Sequence, residues 1–341
     1  MTPWLDLDLL PAIALVAAAT IVTAGLIVLL RPLLVHYALA IPNRRSSHRT
    51  PTPQGGGIAV IATTIAVSGI ATAWLGVMTP LLCILLAVAA ALAVLGAVDD
   101  IRPLGAALRL ALQALAVLVV ILAMPADWRA LPALPLMLER ALVLIAGLWF
   151  VNLVNFMDGL DWMTVAEVVP ITGALAALGL SGVYPLSTTL IALALFGAIL
   201  GFAPFNRPVA KLFLGDVGSL PIGLLLGTLL YVLATQGHLA AALILPMYYL
   251  LDATITLLRR MAHGERVWEA HRQHFYQHAA DGGMSAAQVV ARVFLLNLVL
   301  VTLALLAIVF SAFSVAIVTL AAVIVTTVLW YFAAISRQKR P

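Results

Sequence analysis

The chain has 341 residues, of which 64% are apolar and 9% charged, and its mean hydropathy is +1.14. Soluble domains carry about 25% charged residues, so a soluble fold of this size could not bury so much apolar surface. The formal charge of +4 is modest, and no nucleic-acid partner is expected. The single cysteine, Cys83, excludes an intramolecular disulfide and a cysteine-based metal site. The composition therefore predicts a protein of the lipid bilayer.

Apolar windows follow one another along the chain, each close to the roughly 20 residues that a spanning helix needs. The first window lacks the basic segment of a cleavable signal peptide and is predicted to be a retained helix. The polar segments are too short for a separate soluble module, so residues 1–341 are predicted to form one all-α polytopic bundle. The eleven predicted spans are 9–30, 57–76, 79–98, 105–124, 135–153, 163–181, 185–203, 219–235, 239–258, 290–310 and 314–335.

The distribution of positive charge predicts the topology, because Lys and Arg accumulate in cytoplasmic loops. With the N-terminus outside, eleven spans place 16 of the 18 Lys and Arg residues on the cytoplasmic side and leave Arg129 and Arg140 outside. The C-terminus is then cytoplasmic. The polar clusters of the chain fall on the same side, so any active site is predicted to face the cytoplasm.

The first cytoplasmic loop combines Arg44, Arg45 and Arg49 with the three consecutive glycines Gly55–Gly57. Backbone N–H groups of glycines at the start of a helix can form an anion site. Positive-inside topology would also explain the arginines, but it does not explain the glycine run.

Two adjacent carboxylates, Asp99 and Asp100, end the third predicted span. They repel each other unless a metal ion, a basic group or a substrate cation compensates their charge. A solvated helix end with Arg102 as partner is the alternative interpretation.

The fifth span ends in a segment with two amides and two carboxylates within ten residues: Asn152, Asn155, Asp158 and Asp161. Such oxygen ligands suit Mg²⁺, and amides can also bind the edge of a base. Helix capping would explain one of these residues but not easily all four.

Asn206, Arg207 and Lys211 come before a Phe213-Leu-Gly-Asp216-Val-Gly-Ser219 segment at the start of the eighth span. The glycines would let the backbone approach a ligand, and Asp216 could hold a metal ion beside a diphosphate. Alternatively, Asp216 and Ser219 cap the eighth helix, since both residue types are favoured there.

Asp252 lies inside the ninth span, and a carboxylate within the membrane is a functional candidate. The alternative is a snorkelling residue or one paired with Arg259, which lies seven residues later on the same helix face. Beyond it, His271 and His274 share a helix face with Arg272 between them, so a phosphate is the expected partner. A solvated basic loop facing lipid head groups remains the other interpretation.

Taken in order, these segments resemble the polyprenyl-phosphate N-acetylhexosamine-1-phosphate transferases, a superfamily that includes WecA, MraY and WbpL enzymes. The resemblance extends from Arg44 to Gln277. The layout of spans is most similar to the WecA branch, and the His271–Gln277 segment to WbpL-type O-antigen initiators. Members use a UDP-linked N-acetylated sugar, Mg²⁺ and, in bacteria, undecaprenyl phosphate.

The resemblance implies transfer of a sugar 1-phosphate at the cytoplasmic face of the bacterial inner membrane, with release of UMP and initiation of cell-envelope or O-antigen polysaccharide synthesis. Mn²⁺ is an alternative metal, and a homodimer would be unremarkable.

By position, Asp216 is similar to the principal Mg²⁺ ligand and Asn155 to an amide of the same site. Asp99 and Asp100 match the catalytic acidic pair, whose division of labour stays open. The other implied catalytic residues are His271, Arg272 and His274, and the implied substrate-binding residues are Arg49, Arg109, Asn152, Asp158, Asp161, Asn206, Lys211 and Phe213, with Asp161 and Phe213 at the uracil.

Two departures from the family pattern bear on the substrate. Trp162 stands where many relatives have glycine, and Arg272 and Gln273 stand between histidines where MraY-type enzymes have a third histidine. Both argue against a MurNAc-pentapeptide substrate. Among the N-acetylated sugars GlcNAc, FucNAc and QuiNAc, the sequence selects none.

A secondary transporter is the chief rival, because broken helices and Asp252 also occur in that class. A transporter should place its polar residues near the membrane midplane. The predicted clusters instead lie at one interface, which favours an enzyme that acts on a lipid head group. A CDP-alcohol phosphotransferase is disfavoured, since the sequence has no closely spaced run of aspartates with the paired-glycine pattern of that class.

Overall fold

The protein is described here by a computed structural model that covers residues 8–40, 51–266 and 271–338. Arg44, Arg45 and Arg49 of the predicted anion loop lie outside these ranges. The described chain is almost entirely helical, as the apolar windows predict. Its helices are α1 (Leu9–Tyr37), α2 (Gly56–Trp74), α3 (Pro80–Ile101), α4 (Ala106–Ala123), α5 (Leu136–Met157), α6 (Met163–Leu180), α7 (Leu186–Asn206), α8 (Asp216–Leu233), α9 (Leu239–Ile244), α10 (Met247–Ala262), α11 (Phe275–Asp281), α12 (Ala286–Val309) and α13 (Ser314–Gln338).

Within the described residues, ten helical stretches are long and apolar enough to cross a membrane. The predicted all-α polytopic bundle is thus confirmed. Helices α7 and α8 are buried along most of their length, whereas α1, α4 and α13 turn most of their apolar side chains outward. Apolar side chains on the outside of a bundle are stable in a bilayer, because the lipid is as apolar as they are.

The predicted span 239–258 differs from expectation, because it is not one helix. It is divided into α9 and α10 around Pro246, which stands at the N-cap of α10. Proline has no backbone N–H to donate and disfavours a helical conformation in the residue before it. Ahead of α9, a π-helical turn at Ala234–His238 contains Gly237 in the left-handed region with φ 88°. The long apolar stretch Asp216–Ile244 is therefore bent rather than straight.

Despite this bend, α10 brings the chain back to the end of the bundle at which α8 begins. Helix α8 begins at Asp216, and near its far end the hydroxyl of Tyr231 contacts Glu139, at the opposite end of α5 from Asn155. Asp252 of α10 accepts a hydrogen bond from Tyr276, whose hydroxyl donates to Phe156 beside Asn155. The polar segments from α3, α5, α8 and α10 thus lie at one end of the bundle, as predicted.

A two-stranded antiparallel ribbon closes this end, formed by β1 (Leu39–Ala40) and β2 (Thr52–Pro53). Directly after β2, Gln54 pairs with Phe213 in an isolated parallel bridge. The ribbon therefore ties the end of α1 to the segment that leads into α8.

Candidate active site

The start of α8 is held against α2 and α3 at very short range. A Cβ atom built on Gly96 of α3 would lie 2.3 Å from the carbonyl carbon of Asp216, and one on Gly57 of α2 would lie 2.3 Å from the Cα of Gly218. Both positions must be glycine for the backbones to approach this closely. The glycine run thus serves packing at Gly57, and this packing fixes where Asp216 stands.

The backbone N–H groups of the glycine run also have protein partners. Gly56 donates to the carbonyl of Phe213 at 2.9 Å, and Gly57 donates to the carbonyl of Leu214 at 2.9 Å. These are two of the three glycine N–H groups on which the anion-site interpretation of the sequence rests. Their bonds instead attach α2 to the strand-like segment before α8, so the expectation of an anion at these two groups is not supported.

The two carboxylates of the acidic pair point to different partners. Asp99 accepts hydrogen bonds from the backbone N–H of Leu104 at 2.6 Å and from Nη1 of Arg109 at 2.8 Å. Asp100 accepts from the backbone N–H groups of Asp216 and Val217 at 3.0 and 3.2 Å. Adjacent positions on α3 thus serve a guanidinium on one side and the first turn of α8 on the other.

The carboxylate of Asp216 lies between Asn155 and Arg109. Its Oδ1 accepts from Nδ2 of Asn155 at 2.7 Å, and its Oδ2 lies 3.9 Å from Nη1 of Arg109. The same Asn155 nitrogen donates to Oγ of Ser219 at 2.9 Å. Helix α8 has Gly215 at its N-cap and no side-chain cap of its own, so the alternative of Asp216 as a capping residue does not apply. Asp99, Arg109, Asn155 and Asp216 therefore form one polar cluster from four helices.

Asp158 follows α5 and is half-buried. Its carboxylate accepts a hydrogen bond from the hydroxyl of Thr164. Burial is the largest cause that raises the pKa of Asp158, to about 7; the nearby carboxylates of Asp216, Asp100 and Asp161 act in the same direction, and the Thr164 bond opposes them. Asp158 is thus an acid that can hold or release a proton near neutral pH at the edge of the cluster.

Asp161 and Asn206 connect two loops. Asp161 accepts from the backbone N–H of Ala210 at 2.9 Å, while Asn206 accepts from the N–H of Trp162 at 2.8 Å and donates to the carbonyl of Leu212 at 3.0 Å. Both ends of the Asn206 amide are therefore used inside the protein. Trp162 adopts a left-handed φ of 65°, and its indole N–H donates to the carbonyl of Ala203 at 2.6 Å.

The remaining predicted residues before α8 lie apart from this cluster. Asn152 is buried one turn before Asn155 on α5 and donates to Gln113 of α4 and to the carbonyl of Leu148, both at 2.8 Å. Lys211 is exposed, and Phe213 is half-buried. The sequence interpretation missed Gln113, although a lone amide in an apolar helix is the signal that would have found it.

Asp252 organises the loop that carries the histidines. It accepts from the backbone N–H groups of Phe275 and Tyr276 at 3.1 and 3.3 Å and contacts Nδ1 of His274 at 3.2 Å. The hydroxyls of Tyr248 and Thr256 also donate to it, both at 3.3 Å, and none of these bonds involves Arg259, the partner in the alternative interpretation. The hydroxyl of Tyr276 donates to the carbonyl of Phe156 at 3.3 Å, so α11 contacts the last turn of α5.

Arg272 faces a separate cavity of about 610 Å³. It forms an ion pair with Asp281 at 2.9 Å, and Arg259 on the same cavity donates to the carbonyl of Gln273 at 2.9 Å. Asp281 and Tyr276 point to different sides of α11, and Tyr276 faces the loop after α5. The cavity is lined by Arg259, His263, Glu265, Arg272, Gln273, His278, Asp281 and Ser336.

His271 provides a pH-dependent contribution to stability. Burial lowers the pKa of His271 to about 4, and the neighbouring His274 and Arg260 act in the same direction. Between the unfolded pKa of about 6.5 and the folded value, the unfolded chain binds the proton more readily, so stability is lost as pH falls through this window.

We expect His271→Gln to reduce the loss of thermal stability between pH 7 and pH 5, because glutamine does not take up a proton there. The exposed His263, changed to Gln, is the matched control and should keep the wild-type pH dependence. Melting of the detergent-solubilised protein measures both. Equal pH dependence of wild type and His271→Gln would contradict the prediction.

Comparisons with known proteins agree with this geometry. The model of glycosyl transferase family 4 matches residues 82–234, which contain every member of the polar cluster. A probable undecaprenyl-phosphate N-acetylglucosaminyl 1-phosphate transferase of Bacillus subtilis is 26% identical over 301 residues, which are 83% of this chain and 82% of that protein. A decaprenyl-phosphate N-acetylglucosaminephosphotransferase of Mycobacterium leprae is 28% identical over 298 residues, 76% of this chain and 74% of that protein.

The chain is similar to glycosyl transferase family 4 over the part that carries the polar cluster. A phospho-N-acetylmuramoyl-pentapeptide-transferase of Psychrobacter cryohalolentis is 31% identical, but over 170 residues, which are 46% of this chain and 45% of that protein. Similarity to the two N-acetylglucosaminyl relatives therefore extends along much more of the chain. The family match ends at residue 234, so the loop with His271, Arg272 and His274 lies beyond it.

Proposed function

We propose that the protein transfers a sugar 1-phosphate, from a UDP-linked N-acetylhexosamine, to undecaprenyl phosphate and releases UMP. The observation that carries this proposal is the cluster of Asp99, Arg109, Asn155 and Asp216 at one end of a membrane bundle. A reaction between a lipid phosphate and a soluble nucleotide requires such a site at the level of the head groups. A transporter would instead require its polar residues near the midplane.

The donor set fits Mg²⁺, with Mn²⁺ as the alternative. Asp216 and the amide of Asn155 offer hard oxygen atoms, and Asp99 lies across Arg109 from Asp216. Among the described residues, no group of three or more His, Cys, Asp or Glu side chains gathers at one point. Mg²⁺ is often held by one or two carboxylates together with water and substrate phosphates, so a site of this kind suits it. Asp216 and Asn155 are the residues proposed to hold it.

The protein's own groups must bring two anionic reactants together and orient them. The lipid phosphate attacks the sugar-linked phosphorus in line, and UMP leaves; both reactants are anions, so repulsion is the obstacle. Bound Mg²⁺ would screen this charge and polarise the phosphoryl oxygens. Arg109 adds a fixed cation, which Asp99 orients through the bond at 2.8 Å. A phosphate monoester is largely dianionic at pH 7, with its second pKa near ~6, so deprotonation by Asp99 is required only for the monoanion.

An apolar cavity of about 290 Å³ suits the isoprenoid tail. It lies between α5, α8, α9 and α10, and the outward-facing Leu142 and Leu243 are part of its lining. Trp149 lines it as well and precedes Asn155 by six residues on α5. At about 1.5 Å per residue, that is roughly 9 Å along the helix. A lipid phosphate at the polar cluster could therefore extend its tail directly into this cavity.

We expect Ala146→Trp, which places a large ring in the cavity, to raise the KM for undecaprenyl phosphate about tenfold, the order of effect of losing one buried apolar contact. The kcat and the KM for the UDP-sugar should change little, because the polar cluster is untouched. Leu122→Trp, on the exposed face of α4, is the matched control. A KM for the lipid that is equal in both variants would argue against this cavity as the tail site.

The cytoplasmic side is proposed for the polar end of the bundle. Arg207, Lys211, Arg259 and Arg260 belong to this end, whereas Arg129 and Arg140 belong to the opposite one. This distribution follows the positive-inside rule and gives access to the cytoplasmic pool of UDP-sugars. We propose the bacterial inner membrane as the location and cell-envelope or O-antigen polysaccharide as the pathway.

The test is UMP release by the purified protein in nanodiscs with Mg²⁺, undecaprenyl phosphate and a panel of UDP-N-acetylhexosamines. Release that requires both lipid and metal, with a lipid-diphosphate-sugar of matching mass, would support the proposal and identify the sugar. A well-folded preparation that releases no UMP with any sugar would contradict it. The mass of the same particles tests the homodimer that the family resemblance allows.

A further inference from the structure

Asp100 is bonded at both carboxylate oxygens to the backbone of α8. Oδ1 accepts from the N–H of Asp216 at 3.0 Å, and Oδ2 accepts from the N–H of Val217 at 3.2 Å. The first N–H groups of a helix have no partner within that helix, and Asp100 supplies one from α3. We propose that Asp100 is a positioning residue that holds the first turn of α8 and thereby orients Asp216 toward the metal. This inference rests on the proposed function and deepens it.

The surroundings of Asp100 leave little freedom for another arrangement. Gly215 has φ 79°, and a Cβ on it would lie 2.6 Å from Oδ2 of Asp100. The carbonyl of Asp100 accepts from Nε2 of Gln54 at 3.1 Å. Gly96, one turn earlier on α3, lies against the Asp216 backbone. The carboxylate of Asp100 is therefore directed at α8 by the close packing at Gly96 and Gly215 and by the Gln54 bond to its backbone.

The energetics favour this role over proton transfer from the substrate. A carboxylate at a helix N-terminus is stabilised both by the bonds that it accepts and by the helix dipole. To act as a base, Asp100 would have to receive a proton on an oxygen that holds the α8 backbone, which would weaken the support of Asp216. Asp99 does not hold the backbone of α8, because the backbone N–H that it accepts from belongs to Leu104 and its other oxygen pairs with Arg109.

The first arm of the test measures amide hydrogen exchange in the metal-free protein. Without metal, a role of Asp100 as a direct metal ligand would not change the exchange rates. We expect the Asp216 and Val217 amides to exchange at least about tenfold faster in Asp100→Ala, because a bond to a charged acceptor is lost from each. Asp100→Asn should give a smaller increase, since its amide keeps one acceptor oxygen. Asp99→Asn is the matched control and should leave these two amides unchanged.

The second arm measures turnover against Mg²⁺ concentration. A positioning role predicts for Asp100→Asn an apparent KM for Mg²⁺ raised about tenfold, with a kcat at saturating Mg²⁺ near wild type and an unchanged pH profile. A general base predicts a loss of about 100-fold or more that excess metal does not restore. Either that result or unchanged α8 exchange in Asp100→Ala would overturn the inference. If the wild type shows no turnover, the proposed function fails, and the exchange arm still decides the role of Asp100.

Discussion

Asp216→Ala is expected to lower UMP release about 1000-fold or more, because a metal contributes several kcal/mol to stabilising the charge of the transition state. Asp216 accepts a hydrogen bond from Asn155 on one oxygen and lies near Arg109 on the other, so its carboxylate is at the centre of the polar cluster. Direct measurement of Mn²⁺ binding should show the same loss. The defect should persist at high Mg²⁺, in contrast to Asp100→Asn.

The matched control for Asp216 is Asp127→Ala, an exposed carboxylate in the loop between α4 and α5 at the opposite end of the bundle. This variant removes the same charge from the chain and should keep wild-type turnover. Asp216→Ala that retained a tenth of the wild-type rate, in a folded preparation, would remove Asp216 from the proposed metal site.

Gly96→Ala is expected to lower the stability of the protein by about 2 kcal/mol or more, at the upper part of the range for overpacking. The new methyl group would lie 2.3 Å from the carbonyl carbon and oxygen of Asp216, which are backbone atoms and cannot rotate away. Helices α3 and α8 must therefore separate, and Asp100 and Asp216 move with them. We expect an apparent melting temperature several degrees lower and a loss of turnover.

Gly25→Ala is the control for this prediction. Gly25 also lies within a helix, but a Cβ built on it meets nothing within 4 Å. Alanine favours the helix by up to about 1 kcal/mol over glycine, so this variant should be neutral or slightly more stable. Equal melting temperatures for Gly96→Ala and Gly25→Ala would show that the close approach of α3 and α8 is not required.

The prediction of spans succeeded where the signal is local and failed at one tertiary feature. Long apolar windows identify helices because each residue's preference for lipid adds along the segment. The window 239–258 obeys this rule, yet the chain is broken around Pro246 and α10 carries Asp252 and Arg260 into the interior. Composition averaged over a window does not contain the position of a break that depends on packing.

The site residues show the same limit at the level of single side chains. Asn152 and Asn155 are both amides three residues apart, but Asn152 binds Gln113 within the bundle and Asn155 binds Asp216. Asp161 and Asn206 were predicted to bind substrate, and their hydrogen bonds run to Ala210, Trp162 and Leu212. Whether they also contact a nucleotide stays a prediction. Residue type indicated a polar site, while the rotation of each helix decided which groups enter it.

The sequence by itself determined that this is a helical membrane protein with its polar chemistry gathered in a few segments. Apolar content, charge placement and motif order are properties of the chain that survive any packing. Only the tertiary structure decided that the neighbours Asp99 and Asp100 have separate roles. Side chains one residue apart on a helix point about 100° apart, so Asp99 and Asp100 each meet a different helix. Helix α3 could reach α8 only because Gly96 allows the two backbones to touch.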